Sequence, residues 1–291
     1  MAKATPTKAL SLPKTANKPP ANLWDYNWMI YGEKGIGKST LAAMFPDIRA
    51  FFMGEPFRRG LQVPIIPDPM KKEPALTWAR MIEYQKLILN ECEPGRIVGD
   101  TLDQLAKLIE QWMCAKKGIS SIQGLNDFGR TYDELNTEWQ QYWGRFMEAG
   151  FSLTFTSHSR YRPRLVRGIK REEIPEAVKK GIIINQVQPT CRGWAFDWSK
   201  VVCEFAAYYG YLGKYRVLTV RGNEDTYASS GVGETHFIQP KDAEELPGQP
   251  YDMFPVGSSA KEAYKTLCDA WNNKIVGWFA EERLEVAEET D

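Results

Sequence analysis

The chain has 291 residues, with 37 basic and 37 acidic side chains and a net charge of zero, so a strongly cationic coat for nucleic acid is excluded and only local basic patches remain. Its five cysteines (Cys92, Cys114, Cys191, Cys203, Cys268) show no C-x-x-C spacing and there are two histidines, which excludes a disulfide framework and argues against a zinc site. No apolar run reaches membrane-spanning length and no signal-peptide core is present, so the expectation is a soluble cytoplasmic protein with no membrane contact.

Residues 1–22 are rich in Lys, Ala, Thr and Pro and poor in large apolar side chains. They read as a disordered arm whose Lys3, Lys8, Lys14 and Lys18 are a solvated tail or touch nucleic acid. Residues 23–240 read as one α/β core, and 241–291 as a helical extension ending in an acidic tail. Within the core, 23–157 alternates strand and helix, the pattern of a mostly parallel central sheet flanked by helices. The first strand, 26–31, is aromatic and apolar. It runs into Gly32-Glu33-Lys34-Gly35-Ile36-Gly37-Lys38-Ser39, which fits the G-x-x-x-x-G-K-[ST] phosphate-binding loop, the P-loop.

Each part of that pattern has a physical task. The glycines let the backbone curl so that successive N–H groups face an anion. Lys38 supplies a point charge for the β- and γ-phosphates of ATP, and the Ser39 hydroxyl is a ligand for Mg²⁺. Thr40 completes the nucleotide-binding set 32–40, and the following helix, expected over 39–45 and stopped by Pro46, aims its positive N-terminal end at the same phosphates.

A second strand, 48–53, is followed by Glu55, a carboxylate placed to orient or deprotonate water. Residues 64–74 read as a surface loop and 75–89 as an amphipathic helix. The strand 96–100 ends on Asp100, the place for a Walker B carboxylate that holds Mg²⁺. Gly99 weakens its apolar run. Asp103, at the start of a helix over 102–114, is a second candidate or a helix-start carboxylate. After a polar loop, 118–127, Tyr132, Leu135, Trp139, Tyr142, Trp143 and Phe146 recur at helical spacing, as a core stripe does.

The strand 151–156 leads to His158, placed to sense a γ-phosphate. Residues 160–180 hold eight basic and three acidic side chains without clear periodicity. Arg160, Arg162, Arg164, Arg167, Lys170 and Arg171 there suit a mobile loop on a single-stranded nucleic-acid backbone, with Tyr161 available for stacking, or a lid that clamps phosphates. Residues 198–209 and 215–221 read as strands of a hairpin joined through Gly210–Gly213. A short strand at 235–238, a loop over 240–255 and helices at 258–272 and 275–286 complete the chain.

The P-loop with Thr40, Glu55 after the second strand, Asp100-Thr-Leu-Asp103, Gly129-x-x-Tyr132-x-x-Leu135 before a long helix, and Ser157-His158 after the next strand occur in an order that resembles phage RecA-like ATPases, also described as phage nucleotide-binding or AAA-domain proteins, among them single-strand annealing and recombination proteins. The resemblance covers about residues 24–240. It implies a RecA-like P-loop NTPase fold, with Asp100 as Walker B, Glu55 as the catalytic glutamate and His158 as the γ-phosphate sensor. Lys214-Tyr-Arg216 resembles the K-x-R pair that RecA-like motors insert into a neighbour's site, which implies a homo-oligomeric ring or filament with ATP between subunits. Gly99, Lys34 inside the P-loop and a segment 229–234 without basic residues depart from the family pattern. The resulting expectation is a Mg-dependent ATPase acting on single-stranded DNA in phage recombination or replication, with a single-strand-binding protein as a further partner. The competing readings are a nucleotide-kinase-like phosphotransferase and a non-catalytic, nucleotide-dependent loader or assembly factor.

Overall fold

A computed structural model describes residues 20–55, 60–123, 125, 127, 129–165, 183–222, 226–231, 235–240, 248 and 250–278. Residues 1–19 of the expected arm, Arg167, Lys170, Arg171 and the tail beyond 278 lie outside these residues. The first strand, β1 (Trp28–Gly32), lies at the centre of the sheet and is buried along its whole length. It pairs in parallel with β5 (Ser152–Leu165) on one side and β7 (Phe205–Leu212) on the other. Beyond β5 come β4 (Arg96–Asp100), β2 (Ile48–Met53) and the two-residue β3 (Ile65–Ile66), all parallel. Beyond β7 the sheet turns antiparallel through β8 (Tyr215–Thr219) and β10 (Met253–Val256). A short β9 (Ser229–Ser230) also pairs with β7. The mostly parallel α/β sheet and the C-terminal hairpin are as expected.

Alternate residues of each strand enter two separate cores. On one face, Met29, Phe52 and Phe155 pack with α2 (Trp78–Glu91), α3 (Leu102–Lys117), α4 (Arg130–Glu148) and α5 (Gly193–Val202). The α4 stripe sits there: Leu135, Trp139, Tyr142, Trp143 and Phe146 are buried, while Tyr132 is exposed at the helix start. On the other face, Ile30, Phe51 and Tyr209 pack with α1 (Lys38–Ala42) and α6 (Ala260–Trp271). Gly99 is explained by this packing, because a Cβ there would lie 2.9 Å from both Leu105 Cδ1 and Phe155 Cδ1. The glycine lets α3 lie close against β4.

Several boundaries differ from the sequence expectations. Residues 160–165 are no loop: β5 continues out of the main sheet and pairs antiparallel with β6 (Ile183–Pro189), forming a two-stranded ribbon. Its ladder partner is remote in sequence, so local pattern did not reveal it. Residues 198–202 belong to α5 rather than to a strand, and the hairpin turns at Gly213–Lys214 instead of Gly210–Gly213. The loops 64–74 and 240–255 each contain strand residues, in β3 and β10. Of 235–238, Ile238 forms a lone bridge to Pro250. Residues 275–278 are not helical, and Trp278 bridges to Met253. Within 241–291, β10 completes the sheet and α6 packs on the second core, so these elements are part of the main body.

At the end of the sheet away from the P-loop, Arg96 is 1% exposed. Its guanidinium donates to the carbonyl oxygens of Leu153 and Tyr26 at 3.3 Å and to the Thr154 hydroxyl, and lies over the Phe45 ring. Burial pulls its pKa down to about 10.

Candidate functional site

The site forms where β1, β2 and β4 end and β5 leaves the main sheet, at the carboxyl edge of the parallel strands, the usual ligand crevice of open α/β sheets. The P-loop leaves β1 with positive φ at Gly35 (86°) and Gly37 (107°), a conformation that glycine adopts without a Cβ penalty. Gly37 is the N-cap of α1. Gly32 has no room for a side chain, since a Cβ there would lie 1.8 Å from the Tyr209 carbonyl oxygen. Ile36 is buried in the second core, whereas Glu33 and Lys34 are exposed and Thr40 is half-buried.

Lys38 is 4% exposed, and its ammonium donates to the carbonyl oxygens of Gly32 at 2.9 Å and Glu33 at 2.7 Å. The Ser39 hydroxyl donates to Asp100 Oδ1 at 2.9 Å, and the Thr156 hydroxyl donates to the same oxygen. Asp100 is 3% exposed and stands beside Met53, the last residue of β2. A buried carboxylate beside a P-loop hydroxyl is a hard oxygen donor set that fits Mg²⁺. Among the described residues no group of three or more His, Cys, Asp or Glu side chains is able to hold a metal, so Ser39 and Asp100 are the protein groups that would hold Mg²⁺ here.

Glu55 and His158 are brought together. His158 Nε2 lies 2.9 Å from Glu55 Oε1, and the Thr101 hydroxyl donates to the same oxygen at 3.3 Å. The other imidazole nitrogen, Nδ1, lies 3.4 Å from the Lys38 ammonium. An ammonium can only donate and a carboxylate accepts, so Nδ1 faces a donor and Nε2 faces an acceptor. Lys38, His158 and Glu55 thus form one chain of contacts. Glu55 and His158 line a cleft of about 530 Å³ together with Lys34, Gly54, Gln104 and Ser159.

Asp103 holds this arrangement from behind. Its carboxylate accepts from the Ser157 hydroxyl at 2.9 Å, from the His158 backbone N–H at 3.2 Å, and from the Thr190 hydroxyl. It therefore joins α3, the point where β5 leaves the main sheet, and the end of β6. The N–H of Thr190 closes the same junction by donating to the His158 carbonyl at 2.8 Å. Asp103 matters more than a helix-start role implies. The sequence signal was Ser157, a buried hydroxyl at the end of the apolar run that needs an acceptor. Nearby Cys191 is buried, which pushes its thiol up to about 12, with the Asp103 carboxylate adding to the effect.

The other candidates lie apart from this cluster. Arg160 and Tyr161 are exposed on the ribbon, Tyr161 at 74%. Arg162 donates to the Cys191 carbonyl at 3.2 Å and lies over the Phe196 ring, so it is engaged by the protein's own α5 end. Arg164 pairs with Ile184 in the ribbon ladder. Lys214 is exposed at the hairpin turn, its ammonium over the Tyr215 ring. Arg216 is held by its own chain, donating to Ser258 O at 2.6 Å, Tyr211 Oη at 3.1 Å and Tyr209 Oη at 3.3 Å. The bond to Tyr211 raises its pKa further.

The family model described as AAA domain matches residues 25–182, more than half of the chain. No curated protein matches the sequence. Among solved structures, a KaiC-like protein from the hyperthermophilic archaeon Pyrococcus horikoshii shares 12% identity, with 82% of this chain and 88% of that one covered at a TM-score of 0.41. A prototypical ATPase from the type III secretion system of pathogenic bacteria shares 9% identity over 64% of this chain and 51% of that one, with a TM-score of 0.34. No described helix is long and apolar enough to cross a membrane.

Proposed function

The chain belongs to the AAA domain family, and from that premise we propose that it is a Mg-dependent, RecA-like ATPase. The observation that carries this reading is the convergence of Lys38, Ser39, Asp100, Glu55 and His158 at the carboxyl edge of four adjacent parallel strands. Residues 32–40 bind the phosphates of ATP, with Lys38 moving its charge from its own loop carbonyls to the β- and γ-oxygens. Ser39 and Asp100 would hold Mg²⁺, which supplies charge neutralisation at the phosphates. Glu55 orients and deprotonates the attacking water, and His158 fixes the direction of its carboxylate through the Nε2 hydrogen bond. Replacing Lys38 by Ala is expected to lower ATP turnover at least 100-fold. Unchanged release of phosphate from a purified, folded variant would refute the assignment.

The finer reading is action on single-stranded DNA by a homo-oligomer, in phage recombination or replication. Exposed Arg160 and Tyr161, neighbours on the ribbon that begins at the sensor His158, support it. The ribbon geometry does not favour the phosphotransferase alternative, because Arg162 is bonded to the Cys191 carbonyl rather than held on a mobile lid. Arg160→Ala combined with Tyr161→Ala is expected to weaken binding of a single-stranded oligonucleotide about tenfold or more and to flatten its salt dependence. Equal affinity at several salt concentrations, or no binding by the parent protein, would leave a nucleotide-dependent assembly factor as the reading. Lys214 at the hairpin tip is the residue we assign to contact with a neighbouring subunit.

A further inference from the structure

The resemblance gives Arg216 to a neighbour's site, yet its guanidinium is bonded to three oxygens of its own chain. Its surroundings suggest a different use. β1 is flanked by β5 and β7, with Gly32 paired to His158 on one side and to Tyr209 on the other. Every group fitted to the γ-phosphate end (Asp100, Glu55 and His158) lies on the β5 side. A phosphate chain anchored there and crossing the P-loop leaves its other end over the β7 side. On that side a Cβ on Gly37 would touch the Tyr209 ring at 3.8 Å and Ala260 Cβ at 3.8 Å.

Tyr209 and Tyr211 are two residues apart and so share one face of β7, and Arg216 is the cross-strand partner of Tyr211. β7 passes Tyr209 by three residues, so Tyr211 stands roughly 7 Å above the start of the P-loop by strand rise. The Arg216 guanidinium lies 5.8 Å from the Tyr209 ring centre and 5.6 Å from that of Tyr211. Tyr209 is fully buried behind this pair, whereas Tyr211 is 47% exposed. A planar cation and a neighbouring aromatic ring, joined by a hydrogen bond, have little ordering entropy left to lose when a flat ligand stacks on them.

We propose that Tyr211 and Arg216, backed by Tyr209, form the wall on which the nucleobase of the bound nucleotide stacks, within a single chain. The ligand class is a purine nucleoside di- or triphosphate, and the inference rests on the nucleotide-binding reading above. It predicts a loss confined to the nucleoside part of the ligand. Calorimetric titration with Mg·ADP and with Mg·pyrophosphate separates that part from the phosphates. Tyr211→Ala and Arg216→Ala are each expected to raise the Kd for ADP about tenfold and leave that for pyrophosphate unchanged.

Unchanged ADP affinity in both variants would overturn the proposal, and unchanged ADP affinity with lost turnover would return Arg216 to a role in a neighbour's site. Equal weakening of both ligands would also overturn it, as a distortion of the P-loop. Should either variant fail to fold, photolabelling of the parent protein with 8-azido-ADP decides: label in the peptide containing 209–216 supports the wall, and label only elsewhere removes it. A parent protein that binds neither ADP nor pyrophosphate would fail the nucleotide reading itself, a result distinct from all of these.

Discussion

Single atoms decide several features of this protein. At Gly99 an added methyl group would meet Leu105 and Phe155 at 2.9 Å, between a strand and a helix that cannot both give way. Gly99→Ala is expected to destabilise the fold by about 1–3 kcal/mol, read as a lowered midpoint in urea, and to disturb Asp100 beside it. A midpoint equal to that of the parent would show that α3 has slack. Lys38, Ser39 and Asp100 were legible in the sequence because local spacing and strand ends define them. Asp103 was legible only as a second candidate or a helix-start carboxylate, because its three donors lie 54, 55 and 87 residues away and only the folded chain assembles them.

Among the elements, those with strong local signals were read best. α6 has a full capping box, Ser259 accepting from the Glu262 N–H while Glu262 accepts from the Ser259 N–H, and its start was anticipated to within two residues. Ser259→Ala is expected to cost about 1 kcal/mol, measured by thermal unfolding. Because Ala260 packs beside Gly37, the same variant is expected to weaken nucleotide binding slightly. No change in either quantity would mean that α6 is held by its core contacts alone. The strand at 96–100 and the long α4 were legible from apolar runs and helical spacing. The ribbon and α5 were not. A strand that leaves the core loses the alternation that marks it, and the short apolar run around Trp198 fits helix and strand equally. Pro255 hid β10, although an edge strand tolerates proline.

For the molecule as a whole, the sheet order puts the phosphate loop at the centre, the ribbon above one flank and the hairpin above the other. If Lys214 completes a neighbour's site, ATPase activity per molecule is expected to rise with protein concentration, and more steeply with single-stranded DNA. Activity that stays constant on dilution would mean that each chain hydrolyses ATP alone. Arg96 has a consequence for any shortened form of the protein. One of its acceptors is the carbonyl of Tyr26, whose ring also packs against Phe205 and Trp271. A fragment starting at Asn27 would leave a buried cation short of a partner and open the second core. A cut after Tyr26 is therefore expected to cost solubility, although it lies at the far end of the molecule from the P-loop.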